Sequence, residues 1–136
     1  MRIVGIGVDI IENKRIKNSL KNLKFKKRIY STKEMTQSSL SKNKVSYFSK
    51  RFAAKEAFSK ALGTGISKGI NLNEIIVLNE KNGKPYIKLL NETKKNVEKK
   101  IKKKRYKISL SLSDEKNYAV AFVTISIWIL QELKIL

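Results

Sequence analysis

One uninterrupted stretch, Ser46 to Leu62, constrains the fold more than any other part of the chain. It contains four alanines, which are the strongest helix formers, and neither glycine nor proline, so it predicts a long helix. Gly63 is expected to end that helix, and Gly65 permits a second turn conformation that a residue with a Cβ would resist. The remaining elements are therefore expected to pack around this helix.

Three side chains of the predicted helix, Phe52, Glu56 and Lys60, are spaced four residues apart and share one face. That face leads into the loop Gly63–Gly65. A carboxylate, an ammonium group and a small-residue loop on one surface suit a divalent cation and a phosphate that approaches backbone N–H groups. The alternative is an exposed Glu–Lys pair, worth about 0.3–0.5 kcal/mol, ahead of an ordinary glycine cap. The spacing alone leaves both open.

A second candidate carboxylate, Asp9, follows Gly5 and Gly7 in an apolar run from Arg2 to Ile11. The β-branched residues of this run predict a short buried strand with Asp9 at its end. A buried carboxylate must be paired or bound to a metal to be tolerated. Alternatively, Asp9 caps the helix that follows, which is a common role for Asp.

Both stretches resemble signatures of the holo-acyl-carrier-protein synthases, the small-type 4′-phosphopantetheinyl transferases. Arg51 to Ile66 meets every fixed position of the pattern R-F-A-x-K-E-A-x-x-K-A-[FL]-G-T-G-I. Gly5 to Ile10 matches the second signature, G-[IL]-G-x-D-[IV]. The resemblance covers nearly the whole chain, from Ile3 to about Ile125.

This resemblance implies an enzyme that transfers the phosphopantetheine arm of coenzyme A to a serine of apo-acyl carrier protein, for fatty acid biosynthesis. Adenosine 3′,5′-bisphosphate would be released. The implied cofactor is Mg²⁺, held by Asp9 and Glu56. Glu56 would take the serine proton, directly or through a metal-bound water, and Lys60 would neutralise phosphate charge. The residues implied to bind coenzyme A are Lys60, Gly63, Thr64, Gly65 and Pro85.

The region from Glu12 to Tyr30 is rich in lysine and arginine and carries an apolar stripe, which predicts helix with a possible break near Asn22. Most of these cations are expected to form a solvated face. The resemblance implies that this region docks the acidic carrier protein. The residues implied for that role are Arg15, Lys24, Phe25 and Arg28. The resemblance also implies a homotrimer with active sites in the clefts between neighbouring copies.

The net charge of +20, from 31 basic and 11 acidic residues, would attract polyanions. It supports one alternative from another class, a basic RNA-binding or ribosome-associated protein, which the run from Lys99 to Arg105 favours. Aromatic residues, which would form a stacking platform for bases, are few and scattered, so no nucleic acid partner is expected.

The chain contains no cysteine and no histidine, which excludes disulfides, thiolate zinc sites and a histidine base. Many relatives in the family that the chain resembles carry histidine where this chain has Ser109, and also at the position of Asp114. A histidine-based proton relay is therefore not expected here. The carboxylates and Lys60 are unaffected by this difference.

The predicted fold is a single α+β domain over residues 1–136, with a twisted, mostly antiparallel sheet packed around the long helix. A capping box is predicted at Ser31–Glu34 and a polar loop at Gln37–Asn43. The other predicted elements are strands at Leu72–Leu78, Tyr86–Leu89, Tyr106–Leu112 and Tyr118–Ile127, a hairpin turn at Asn82-Gly83, and a helix at Asn91–Lys104.

Residues 127–136 form an apolar extension that is too short and too interrupted by polar residues to span a bilayer. We expect it to form an edge strand or a tail packed at a subunit contact, and we expect no membrane partner. The predicted location is cytoplasmic, because the first residues lead directly into a strand with no signal or transit peptide ahead of it.

Overall fold

The computed structural model describes residues 1–65, 69–103 and 105–129. Within these residues the elements, in chain order, are β1 (Arg2–Glu12), α1 (Asn13–Ser19), α2 (Leu23–Ile29), α3 (Thr32–Gln37), α4 (Lys44–Leu62), β2 (Ile75–Asn79), β3 (Pro85–Leu89), α5 (Asn91–Ile101), β4 (Tyr106–Asp114) and β5 (Tyr118–Ile127). Two short 3₁₀ turns, Ser38–Leu40 and Leu72–Glu74, precede α4 and β2.

The long helix α4 is the centre of the fold, as predicted, although it begins at Lys44 rather than at Ser46. The Asn43 side chain caps its start by accepting a hydrogen bond from the backbone N–H of Ser46. Its end is set by Gly63, whose positive φ of 82° places it in the left-handed region that glycine adopts most easily. The helix is buried on almost all sides because β1, β5, β4 and β2 pack around it.

The strands form two antiparallel sheets, which confirms the predicted α+β class. The larger sheet has the order β1-β5-β4, with Asp9 opposite Ala121 in the register of β1 and β5. The smaller sheet is the β2–β3 hairpin, whose predicted turn holds Gly83 at a φ of 90°. The predicted sheet is therefore divided into a three-stranded and a two-stranded part.

Two glycines allow β1 to lie directly against α4. A Cβ on Gly7 would overlap the carbonyl oxygen of Ala57 and lie 2.8 Å from the backbone nitrogen of Ala61. A Cβ on Gly5 would likewise overlap the carbonyl oxygen of Ala61. Since real Cβ atoms do not approach backbone so closely, glycine on the strand and alanine on the helix are both needed for this contact.

The prediction that β1 is a buried strand is wrong for one of its two faces. Side chains alternate across a strand, so the face that carries Gly5, Gly7 and Asp9 packs on α4 while the opposite face points away from it. On that opposite face Ile6, Val8 and Ile10 are 60%, 55% and 62% exposed. The sequence run is largely apolar, but the described residues cover only one of its two faces.

Several predicted boundaries also need correction. The predicted strand Leu72–Leu78 is a 3₁₀ turn for its first three residues, and β2 begins at Ile75. The predicted helix Asn91–Lys104 ends at Ile101, because Lys102 adopts a left-handed φ of 59°. The predicted loop Gln37–Asn43 contains the last residue of α3 and a 3₁₀ turn.

Two local predictions near α2 and α3 are confirmed. Asn22 separates α1 from α2 and caps α2 by accepting a hydrogen bond from the Phe25 backbone N–H. Ser31 and Glu34 form a complete capping box at the start of α3.

At the C-terminal end, Trp128 lies beside the Arg105 guanidinium, 5.6 Å from it, and most of the predicted 127–136 extension lies outside the described residues. Across the described segments, no helix is both long enough and apolar enough to cross a membrane.

Candidate active site

The glycine contacts place Asp9 beside the last turn of α4. Asp9 shares a strand face with Gly5 and Gly7, and its side chain is only 15% exposed. The Lys60 ammonium donates to Asp9 Oδ1 at 3.2 Å and to the backbone oxygen of Val8 at 3.0 Å. The two signature stretches of the sequence therefore meet at this ion pair.

Two alternatives from the sequence are settled by this geometry. Asp9 is not a helix cap, because it lies within β1 and the residue at the N-cap of α1 is Glu12. It also lies three residues before the end of the strand rather than at its end. The hydrogen bonds of Lys60 run to Val8 and Asp9, so the simple Glu56–Lys60 helix pair is not the arrangement adopted.

Glu56 is half-buried one turn before Lys60, within electrostatic reach of Asp9. Burial raises the pKa of Glu56 above its usual value, and the negative charge of Asp9 raises that pKa further. The positive charges of Lys60 and Arg15 oppose this shift. Two carboxylates that repel each other in a partly desolvated place are stabilised when a cation binds between them.

The donor set fits Mg²⁺ better than a metal that needs many protein ligands. Among the described residues no three or more Asp, Glu, His or Cys side chains cluster together. Mg²⁺ is commonly bound by one or two carboxylates, with water and phosphate oxygens at the remaining positions. Asp9 and Glu56 could supply the two carboxylates.

The loop after α4 presents open backbone. Gly63 and Gly65 have φ values of 82° and 60°. Apart from the glycine itself and its two chain neighbours, no atom of the described residues lies within 4 Å of the position that a Cβ would take on either. Between them, the Thr64 hydroxyl donates to the backbone oxygen of Gly65 at 3.0 Å. Among the described residues, the backbone of this loop is therefore approached only by its own chain neighbours.

A groove of about 1280 Å³ opens beside Glu56 and runs between α2, α3 and the chain around β2; we call it the docking groove. Arg15, Phe25 and Arg28 line it together with Glu56. Lys24 lines a smaller adjoining groove of about 570 Å³, which Phe25 and Arg28 also border. The structure thus brings all four residues of the implied carrier-docking set to the same side of Glu56.

The floor of the docking groove is partly aromatic. The Phe25 ring is half-buried and stacks on Phe52, with the ring centroids 6.2 Å apart. Pro85 is placed differently: it begins β3 opposite Asn79 and is not among the residues that line this groove.

A buried ion pair beneath the groove is a feature that the sequence did not predict. Lys55 and Glu34 are both fully buried, and Lys55 Nζ lies 2.7 Å from Glu34 Oε1. Burial lowers the pKa of Lys55 to about 8, and the charge of Glu34 opposes that shift. Glu34 was predicted only as part of a capping box, and Lys55 was noted only as a fixed position of the family signature, with no role assigned to it.

The two positions where many relatives carry histidine are not part of this cluster. Asp114 accepts a hydrogen bond from the Ser46 hydroxyl at 2.6 Å and lies 3.9 Å from Lys50 Nζ, so it ties the end of β4 to the start of α4. Ser109 is exposed on β4.

Comparison with known proteins identifies the family. The family described as "ACPS: 4'-phosphopantetheinyl transferase superfamily" matches residues 5–123. The holo-[acyl-carrier-protein] synthase of Pelagibacter ubique (strain HTCC1062) is 51% identical over 123 residues, which are 90% of this chain and 96% of that protein.

Two solved structures show the same fold. The holo-[acyl-carrier-protein] synthase of Neisseria meningitidis is 36% identical with a TM-score of 0.83, over 91% of this chain and 98% of that one. The synthase from Bacillus anthracis str. Ames, in complex with CoA (3',5'-ADP), is 36% identical with a TM-score of 0.77, over 94% of this chain and 100% of that one. The chain therefore belongs to the 4′-phosphopantetheinyl transferase superfamily and, within it, to the holo-[acyl-carrier-protein] synthases.

Proposed function

We propose that this chain transfers the 4′-phosphopantetheine arm of coenzyme A to a serine hydroxyl of an apo-acyl carrier protein and releases adenosine 3′,5′-bisphosphate. The convergence of Asp9, Glu56 and Lys60 at the end of α4 carries this proposal. The coenzyme A complex of the Bacillus anthracis relative supports it. In the reaction, the serine oxygen forms a bond to the phosphorus atom that bears the arm, and the bond from that phosphorus to the bridging oxygen breaks.

Asp9 and Glu56 would hold Mg²⁺ between β1 and α4. The metal would neutralise charge on the phosphate oxygens while the bond to the leaving group breaks. The raised pKa of Glu56 supports this assignment, because it reflects burial of the carboxylate and, next in size, repulsion from Asp9, and a bound cation would relieve that repulsion.

Lys60 and Glu56 would carry out the two remaining tasks at the reacting phosphate. Lys60 neutralises Asp9 in the chain alone. With Asp9 engaged by a cation, the ammonium group of Lys60 would be free to contact a phosphate oxygen. Glu56 would accept the proton of the attacking serine, since its carboxylate lines the groove in which the carrier is proposed to dock.

The open backbone of Gly63, Thr64 and Gly65 would receive the nucleotide end of coenzyme A. Lys60 lies one turn before this loop, so its charge and the loop N–H groups can face the same phosphates. Pro85 is proposed as a further coenzyme A contact. Pro85 begins β3 opposite Asn79, and its assignment rests on the family resemblance.

The carrier protein would dock on α1 and α2 through Arg15, Lys24, Phe25 and Arg28. These residues border the grooves beside Glu56, so a carrier bound there could direct its serine at the phosphate. Positive charge at this surface would attract an acidic carrier and fix its orientation when it is bound.

We further propose that the enzyme is a homotrimer. The uncovered face of β1 supports an assembly of copies, because Ile6, Val8 and Ile10 are apolar and more than half exposed in a single chain. The neighbouring strand β5 adds Phe122, opposite Val8 and 44% exposed. Contiguous apolar surface of this kind marks an interface more often than a free surface. The role in fatty acid biosynthesis and the cytoplasmic location remain predictions.

Thermal melting tests the substrate and metal assignments together. Coenzyme A should raise the melting temperature when Mg²⁺ is present and should do so much less in EDTA. Asp9→Asn and Glu56→Gln should each remove the dependence on Mg²⁺. Protection by generic RNA that equals protection by coenzyme A would instead support the nucleic acid alternative.

A further inference from the structure

Directly before Glu56, α4 carries a lysine that cannot reach the candidate active site. Lys55 Nζ donates to Glu34 Oε1 at 2.7 Å and to the backbone oxygens of Leu72 and Ile75 at 2.9 and 2.7 Å. These three hydrogen bonds use all three donors of an ammonium group. All hydrogen-bond donors of Lys55 are therefore used inside the protein, and none is left for a substrate.

Glu34 connects the same region from the other side of the ion pair. Its Oε1 also accepts a hydrogen bond from the Ser31 backbone N–H at 2.9 Å, and its Oε2 accepts one from the Val77 N–H at 3.0 Å. The pair thus joins four parts of the chain: the start of α3, α4, the 3₁₀ turn before β2, and β2 itself.

Those four parts form the walls of the docking groove. Ser31, Leu72 and Glu56 all line it. Tyr30 follows the end of α2, the helix that carries Phe25 and Arg28, and its hydroxyl donates to the backbone oxygen of Phe48 on α4 at 2.8 Å. The buried pair therefore lies beneath the point where the α2–α3 wall is attached to the helix of Glu56.

Stability alone is a weak reason to bury two charges, because apolar residues of similar volume often stabilise a core as well or better. Directional hydrogen bonds from one carboxylate and one ammonium instead fix how the joined elements lie relative to one another. We infer that Glu34 and Lys55 are positioning residues for the carrier protein: they hold the α2–α3 wall at the separation from Glu56 that lets a docked carrier serine reach the phosphate. This inference rests on the proposed function.

The test compares three variants at a temperature where each is folded. Lys55→Met removes the charge and keeps the length of the side chain. Glu34→Asp keeps the charge but shortens the connection by one methylene group, about 1.5 Å. Val97→Ala, in the buried core of α5 and outside the groove lining, is the control for a general loss of stability.

We expect Lys55→Met and Glu34→Asp each to lower kcat/KM for the carrier by about 10²-fold, since a displacement of ~1 Å at a reacting group can lower the rate that much. The KM for coenzyme A should stay close to that of the parent protein, because Asp9, Lys60 and the glycine loop are not part of the buried pair. Val97→Ala should lower the melting temperature and leave both kinetic constants unchanged.

A purely structural role would give a different result. Lys55→Met and Glu34→Asp would then behave like Val97→Ala, with a lower melting temperature and parental kinetics for the carrier, and the inference would be overturned. If Lys55→Met does not fold, Glu34→Asp decides. If neither folds, the pair is required for the fold itself and the inference is withdrawn.

Hydrogen exchange separates this inference from the proposed function. If the parent protein transfers no arm from coenzyme A, the proposed function fails, whatever the variants do. The backbone amides of α2 and α3 can still be compared, and a positioning pair requires that they exchange faster in Lys55→Met than in Val97→Ala. Equal exchange in the two variants would contradict the inference without bearing on the transfer reaction.

Discussion

Replacing Gly7 with alanine should disconnect the candidate active site without touching any of its side chains. The added methyl group would overlap the Ala57 carbonyl oxygen and lie 2.8 Å from the Ala61 nitrogen. Relaxed contacts between such atoms need about 3.5–4.0 Å, so β1 must move away from α4 by about 1 Å or more. Overpacking of this kind costs about 1–3 kcal/mol of stability.

The same displacement acts on Asp9, two residues further along the strand. Asp9 Oδ1 lies 3.2 Å from Lys60 Nζ, so a retreat of about 1 Å would stretch the ion pair past the range of direct contact. It would also separate the two carboxylates assigned to Mg²⁺. Because ~1 Å of misplacement can cost about 10²-fold in rate, we expect a loss of activity beyond the loss of stability.

The assay measures transfer to apo-carrier at a temperature well below the melting point of the variant. Val97→Ala, in the buried core of α5 and away from β1 and the groove lining, is the control for a general loss of stability and should keep parental turnover at that temperature. A Gly7→Ala protein that melts at the parental temperature and transfers at the parental rate would refute the argument that the strand–helix contact positions Asp9.

Four further outcomes follow from the site and the surface. Lys60→Met should change stability by about 1 kcal/mol, since the Lys60 side chain is 54% exposed, but should lower kcat/KM for coenzyme A by about 10²–10³-fold. A variant that melts early and turns over normally would contradict this prediction. Arg28→Glu should raise the KM for the carrier and leave the KM for coenzyme A unchanged. The affinity of the parent protein for the carrier should fall as the salt concentration rises, because screening shortens the reach of exposed charges. Equal effects of Arg28→Glu on both substrates would argue against a dedicated docking surface. In protein stripped of divalent cations, the pKa of Glu56 is raised by folding, so its contribution to stability is present below pH 4.5 and is lost as the pH rises through its folded pKa. Denaturant unfolding should therefore show Glu56→Gln to be more stable than the parent at pH 7 and equal to it below pH 4.5. Val8→Lys should reduce the mass of the assembly measured by light scattering, because it places a charge on the uncovered face of β1; an unchanged mass would exclude that face from the interface.

The sequence predicted those parts of the fold in which one local pattern dominates. The alanine-rich run and Gly63 were enough to place α4 and its end, and the Ser31–Glu34 capping box and the Asn82-Gly83 turn were each confirmed. Strand boundaries were less accurate, as at Leu72, because a short apolar run has the same pattern in a 3₁₀ turn and in a strand.

The candidate site residues could be named from the sequence, but their contacts could not. The family signature singled out Asp9, Glu56 and Lys60. Helix spacing left a Glu56–Lys60 pair open as one alternative, whereas the strand contact through Gly7 brings Lys60 to Asp9. Contacts between residues distant in sequence depend on how elements pack, and spacing within one helix carries no information about them.

The burial of Lys55 could not be predicted from the sequence for a similar reason. A helix that is surrounded on nearly all sides has no polar face by which a buried lysine could be distinguished from a solvated one. Its partners, Glu34 and the backbone of Leu72 and Ile75, come from three separate parts of the chain. The exposure of Ile6, Val8 and Ile10 could not be predicted either. An apolar strand has the same sequence pattern whether it packs against its own chain or against another copy.

The most direct test of the account is the mass of an acceptor. Apo-acyl carrier protein is incubated with this protein, coenzyme A and Mg²⁺, and the carrier is weighed by mass spectrometry. We expect the carrier to gain the mass of one phosphopantetheine arm at its serine and adenosine 3′,5′-bisphosphate to appear in equal amount. With Asp9→Asn or Glu56→Gln, we expect neither product. A carrier of unchanged mass with folded parent protein, or full modification by either variant, would contradict it.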